Sequence, residues 1–160
     1  MRILKQNLFL LIAIFLTSCS VSNEYLPEEF IGLRLTKKVT GKEARNFVNK
    51  LHGKTVTETE NEIGYYSGNA GRALIYTSHY QKPESAEKYF GKMTKKISLG
   101  KSAFVSSEFI DVNGKKIFRT FGMGRSHYIF TYNKGLFWIT VDTNLGIKFV
   151  REYLSYLKNI

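Results

Sequence analysis

The sequence predicts an α+β domain: an antiparallel sheet of about six strands and three helices packed on one face. Three observations carry this. Three segments repeat apolar residues at helical spacing, and six alternate at strand spacing. Turn residues separate consecutive strands, Asn113-Gly114 most clearly. The resulting order is α-β-β-α-β-β-β-β-α, without repeats or low-complexity tracts.

The globule begins at Phe30–Lys37 with a short strand. Thr40-Gly-Lys-Glu43 has capping-box spacing. Ala44, Phe47, Val48 and Leu51 then line one face of a helix over about 41–52, and Gly53 suits its end. Ile63–Ser67 and Arg72–Tyr80 form a hairpin around Gly68-Asn-Ala-Gly71. Pro83 fits the first position of a second helix, with Ala86, Tyr89, Phe90, Met93 and Ile97 as its apolar stripe and Gly100 beyond its end.

Four strands follow. Ala103–Val112 and Lys115–Phe121 join through Asn113-Gly114, which sets Glu108 against Arg119 and Asp111 against Lys116, two pairs of opposite charge. Gly122-Met-Gly124 turns into Arg125–Tyr132. A three-residue loop, Asn133-Lys-Gly135, leads to Leu136–Thr143 and sets Phe130 opposite Trp138. Asn144 is placed to cap a last helix over about 145–158, whose apolar side carries Ile147, Val150, Tyr153 or Leu154, and Leu157. By order of elements alone, a cystatin-like or PsbP-like sandwich fits.

Ahead of this domain, Arg2 and Lys5 precede an unbroken apolar run, Leu8–Leu16. Nine residues make about 13 Å of helix, far short of a roughly 30 Å hydrocarbon core. The layout is that of a secretory signal, not a membrane span. Leu16-Thr17-Ser18-Cys19 resembles the lipobox of bacterial lipoproteins: an aliphatic residue, two small residues, then cysteine. The resemblance implies a diacylglycerol on the Cys19 sulfur, cleavage between Ser18 and Cys19, and acylation of the new amine. The nucleophilic thiol suits lipid transfer, and several acyl chains hold far longer than one. Ser20 in place of an aspartate implies the periplasmic face of the outer membrane in a Gram-negative organism. Three parts are therefore expected: a signal peptide (1–18), a lipidated N-terminus and polar tether (19–29), and a single domain (30–160).

Losing Arg2 and Lys5 would bring the formal charge from +11 to about +9. Cys19 is the only cysteine, so no disulfide staples an exported domain. Stability must come from packing, for which 12 Phe and 10 Tyr are available. The basic balance favours an anionic envelope component or an envelope protein as partner, beside the membrane itself. Nucleic acid is not expected for a tethered envelope protein. The lysines are spread along the chain, as on an ordinary solvated surface.

Motifs for chemistry are sparse. His52, His79 and His127 show no ligand spacing, so no metal or other cofactor is expected. Ser126, His127 and Asp142 invite a triad reading, but Ser126 opposite Asp142 leaves His127 on the other face, beside Val141, and no Gly-x-Ser-x-Gly elbow exists. Gly122-x-Gly124 precedes a strand, which suits turn glycines better than a phosphate loop. Glu58, Glu60 and Glu62 alternate as on a solvated edge. Any polar site is expected at His52 and Lys54, at His79, or at His127; at the first, His52 and Lys54 also suit the free carbonyls of a helix end.

Phe30-Ile-Gly-Leu33, Thr40-Gly-Lys-Glu-Ala44, Leu51-His-Gly-Lys54 and Gly122-Met-Gly-Arg-Ser-His-Tyr128 together resemble a group of small bacterial envelope proteins. That resemblance implies no catalytic residue. The expectation is a non-enzymatic binding or accessory lipoprotein. The alternative is an envelope enzyme using His127 or His79 with groups from neighbouring strands.

Overall fold

A computed structural model describes residues 25–52, 60–100 and 102–160. The elements are β1 (Glu29–Phe30), β2 (Leu33–Thr40), α1 (Gly41–His52), β3 (Glu60–Gly68), β4 (Gly71–His79), α2 (Pro83–Ser98), β5 (Val105–Val112), β6 (Lys115–Gly122), β7 (Arg125–Tyr132), β8 (Gly135–Asp142) and α3 (Gly146–Leu157). All eight strands join one antiparallel sheet in the order β1-β2-β3-β4-β8-β7-β6-β5. The α+β class, the three helices and the antiparallel sheet are as expected; the strands number eight, not about six.

The additional strands lie in Glu29–Thr40, where the short strand expected over Phe30–Lys37 is in fact two, β1 and a longer β2. Ile31 and Gly32, at φ 43° and 78°, turn the chain between Phe30 and Leu33. In β2 the register slips between Leu35 and Lys37. That extra residue moves the side chains that follow to the other face. Leu33 and Leu35 therefore pack with the α3 layer, and Val39 with the α1 layer. One strand serves two cores, which hides the alternation in its sequence.

The helices divide between both faces, which corrects the one-face expectation. Ala73, Ile75, Phe130, Phe137, Ile139 and Val141 face Phe149, Val150, Tyr153 and Leu157 of α3. Their neighbours along the strands, Phe118, Ile129, Leu136 and Trp138, face Ala86, Tyr89, Phe90, Met93 and Ile97 of α2. Ile63, Leu74 and Tyr76 meet Ala44 of α1, and Phe47 stacks on Tyr76. The physical reason lies in the central strands. β7 and β8 are buried along nearly their whole length, and a strand buried on both faces needs a layer on each side.

The β5–β6 register pairs Glu108 with Arg119 and Asp111 with Lys116, as predicted. The β7–β8 register differs by one residue. Tyr132 pairs with Gly135 across a two-residue turn, so Phe130 meets Phe137 and Trp138 meets Ile129. Asn133 takes φ 51°, a conformation asparagine tolerates, so Gly135 is free to be the first ladder residue. Asn144 does not cap α3; Leu145 holds that position, and the Asn144 side chain donates to the Ala70 carbonyl.

The outer strands differ in kind. β1 has only two residues. β5 presents a full edge, broken by a register shift between Val105 and Glu108 where Ser106 sits at φ 54°.

Candidate functional site

The β3–β4 hairpin brings a histidine and a carboxylate together on one face of the sheet. β3 and β4 form a hairpin in which Glu62 pairs with Thr77 and Glu60 with His79. Glu62 and His79 are thus diagonal neighbours on the α3 face. His79 Nε2 stands 3.5 Å from Glu62 Oε2, and Lys38 Nζ lies 3.5 Å from Glu62 Oε1. The His79 contact and the Lys38 ammonium hold the Glu62 carboxyl below its usual range, against the opposing effect of burial. Glu62 is therefore not part of a solvated edge; β3 lies between β2 and β4. Glu60 is exposed, as expected, and Glu58 lies outside the described residues.

Residues 25–27 lie over this cluster. Tyr25 packs at a tilt against His79, with ring centroids 4.7 Å apart, and against Phe137 at 5.6 Å. Leu26 is fully buried. It reaches the backbone at Gly64, where an added Cβ would come within 2.9 Å of Leu26 Cδ2. Two core hydroxyls hold the segment's carbonyls: Tyr153 donates to Tyr25 O at 2.6 Å and Tyr66 to Pro27 O at 3.0 Å. Burial raises the Tyr153 hydroxyl well above its ordinary pKa, so it remains a donor. Beneath the segment, Thr77 Oγ1 and His79 Nε2 are shielded from solvent without a hydrogen-bond partner of normal geometry.

His127 has a different setting. It is 1% exposed and lies opposite Thr140, not beside Val141. The Trp138 indole donates to its Nδ1 at 3.2 Å, and Thr140 Oγ1 is 3.0 Å from the same nitrogen. An indole N–H can only donate, so Nδ1 carries no proton and Nε2–H donates to Gly122 O at 3.0 Å. Burial first, and Arg125 nearby, lower its pKa against the support of the Gly122 bond. A neutral ring with both nitrogens engaged fixes β6, β7 and β8 to one another. Ser126 faces Val141, and Asp142 faces Arg125 at 3.2 Å, so Ser126, His127 and Asp142 form no triad. Met123 and Gly124 at φ 52° and 71° make the β6–β7 turn, the turn-glycine role expected there.

Ser18, Cys19 and Lys54 lie outside the described residues. His52 ends α1. Two shallow depressions, about 340 and 320 Å³, are lined from within Glu28–Leu35 and contain no histidine. Among the described residues no cluster of histidine, cysteine or carboxylate side chains is arranged to hold a metal, and no helix is long and apolar enough to cross a membrane.

Sequence reasoning singled out His79, with Thr77 on the same strand face, but missed Glu62 and Tyr25 beside it and Lys38 on Glu62. The predicted first strand, Ile63–Ser67, stopped one residue short of Glu62; the observed strand runs from Glu60, and its register puts Glu62 opposite Thr77, two residues from His79 across the strands.

No protein-family profile matches the chain, and no curated protein matches it. Among solved structures, the chain is similar to a crystal structure described as a GTP binding regulator from Thermotoga maritima. The two are 16% identical, the match covers 81% of this chain and 77% of the other, and the TM-score is 0.46. A likeness at that level carries no argument about activity.

Proposed function

We propose that this chain is a lipid-anchored cell-envelope protein that acts as a binding or accessory module. The observation that supports this most directly is the seating of residues 25–27. Six residues after the lipobox cysteine, the chain is keyed into the core by the fully buried Leu26 and by two tyrosine hydroxyls. A lipid on Cys19 would be coupled to the folded domain itself through a short polar tether. Ser20 behind the cysteine favours the outer membrane in a Gram-negative cell. The excess of basic residues favours an anionic envelope component or an envelope protein as partner.

Mass spectrometry of the mature N-terminus tests the anchor. The expected product begins at an acylated Cys19, and Cys19→Ala releases the protein from the membrane fraction. An unmodified Cys19, or a cut elsewhere, overturns the proposal.

A second reading rests on the Glu62–His79 pair, where a histidine does meet a carboxylate. It makes the protein an envelope enzyme whose site lies beneath Tyr25. His127 cannot serve in that role while both its nitrogens bond to the fold. Partner crosslinking in native membranes separates the two readings. A partner retained by His79→Gln favours the binding module, whereas loss of turnover of an envelope substrate in that variant favours the enzyme.

A further inference from the structure

The place where the N-terminal segment joins the domain limits how the domain can sit on a membrane. This inference rests on the proposed lipid at Cys19. From Cys19 to Tyr25 are six residue steps, which extend to at most about 20 Å. Tyr25 is fixed against His79, at the C-terminal end of β4. The other end of β4 begins at Gly71, eight steps or about 26 Å away at roughly 3.3 Å per residue. The tether is shorter than the strand. The sheet end carrying Asn69, Arg72 and Met123 therefore cannot rest on the bilayer that holds Cys19.

The end it can rest on gathers four lysines without ion-pair partners among the described residues. Strand register gathers there the β5–β6 turn, the β7–β8 turn, the close of β4 and the start of α1. The Tyr80 N–H donates to Lys134 O and closes this end together. Lys42, Lys82 and Lys134 are exposed and Lys115 is half-exposed. None of the four has an ion-pair partner among the described residues. Several acids at this end are already engaged: Glu62 with Lys38 and His79, Glu43 with Lys37, and Asp111 as acceptor for the Gly114 N–H. Glu60 and Glu84 remain exposed, so the end is basic but not uniformly so. At the opposite end the arginines are paired, Arg34 with Glu29, and Arg72 and Arg125 both with Asp142, and the exposed lysines there, Lys95 and Lys96 at the close of α2 and Lys148 at the start of α3, lie on helix flanks beyond the reach of the tether.

We propose that the domain stands upright on anionic lipid headgroups, on the end that carries Lys42, Lys82, Lys115 and Lys134, and points its Asn69 and Met123 turns away from the membrane. Each lysine near an anionic surface adds a screened attraction, and the tether holds the domain within its range. Partners would then meet the far end, where Leu99, Val105 and Met123 are the large apolar side chains most open to solvent.

The full lipidated chain, reconstituted in phosphatidylcholine vesicles with and without phosphatidylglycerol, tests this. A single fluorophore is placed at Gln81→Cys, Asn69→Cys or Arg151→Cys, and quenching by headgroup-labelled lipid is measured. The wild-type chain is the control. It takes up fluorophore only if its one cysteine is not lipidated, so labelling of wild type signals failure of the anchor reading rather than of the orientation. With the anchor intact, Gln81 should be quenched several-fold more strongly than Asn69 or Arg151. That difference should shrink in pure phosphatidylcholine, at high salt, and in a Lys82→Glu, Lys134→Glu variant of unchanged melting temperature. Quenching at Asn69 equal to that at Gln81 overturns the upright orientation. Strongest quenching at Arg151 would mean that the domain lies on α3, which also overturns it. A Gln81 signal indifferent to phosphatidylglycerol and to charge reversal overturns headgroup docking.

Discussion

The two faces of the sheet are sealed by different means. Beneath α3 the apolar contacts form one continuous cluster, in which Phe130 and Phe137 stack at 5.2 Å and Phe149 and Tyr153 close over them, with Thr77, Glu62 and His79 gathered at its margin. Beneath α1 and α2 the apolar contacts form two separate patches, and a polar row crosses the sheet. Ser107, Thr120, His127 and Thr140 follow one another across β5, β6, β7 and β8. Apolar burial is non-directional and depends on area and fit. A buried polar row depends on every partner being present and in its right protonation state. The α3 face should therefore fail chiefly by loss of volume, the other chiefly by loss of a bond, and each should gain its proton at a different pH.

The largest expected effect is on the aromatic face. Phe137→Ala should cost about 3–5 kcal/mol in denaturant unfolding, the usual range for a buried Phe truncated to Ala. Phe104→Ala on the opposite face removes a partly buried ring and should cost less than half as much. Equal losses would erase the contrast. Next is His127→Leu, which leaves the Trp138 indole, the Thr140 hydroxyl and the Gly122 carbonyl without their partner. Orphaned buried groups cost about 1–3 kcal/mol, so a neutral result would show that the polar row is dispensable.

The two faces should also part in their pH dependence. The folded protein holds His127 below its ordinary pKa of 6.5. As pH falls through that value the unfolded chain takes the proton and the folded one does not, so stability declines, by at most about 1.4 kcal/mol per pH unit. His127→Leu should flatten this slope. Glu62, held below its ordinary 4.5, contributes stability above that pH and loses it as pH falls further. Its decline therefore begins lower, and Glu62→Gln should remove it without touching the His127 region. The smallest effect is at the surface. Arg34→Ala breaks a 2.9 Å pair with Glu29 whose side chains are 76% and 69% exposed. It should cost less than about 1 kcal/mol, and less still at high salt.

The sequence was most legible where the signal was local. Apolar spacing located all three helices, and Asn113-Gly114 fixed a register that its charge pairs confirm. Legibility ended where one residue changes phase. The bulge after Leu35 hid how far β2 continues past Lys37, and counting Gly135 in a loop shifted the β7–β8 pairing by one. The placement of helices on both sides was present in Tyr128–Tyr132 and Leu136–Val141, whose near-continuous apolar character is that of doubly buried strands. The surroundings of His79 depend on Tyr25, Lys38 and Glu62, which converge only through the folded sheet. No spacing along the chain announces the seating of Leu26.

The unequal outer strands of the sheet have a consequence for assembly. An open edge offers backbone groups to any neighbouring copy, and the hazard grows wherever copies are crowded. β1 offers two residues, too few to template a partner strand. β5 is long enough, but Ser106 interrupts its hydrogen-bond rhythm, and Glu108 and Asp111 place like charges where a second copy would align. Among the described residues the β5 end thus resists strand addition by irregularity and charge, whereas at the other end β1 is too short to template a partner but pairs with only Leu33 and Arg34 of β2.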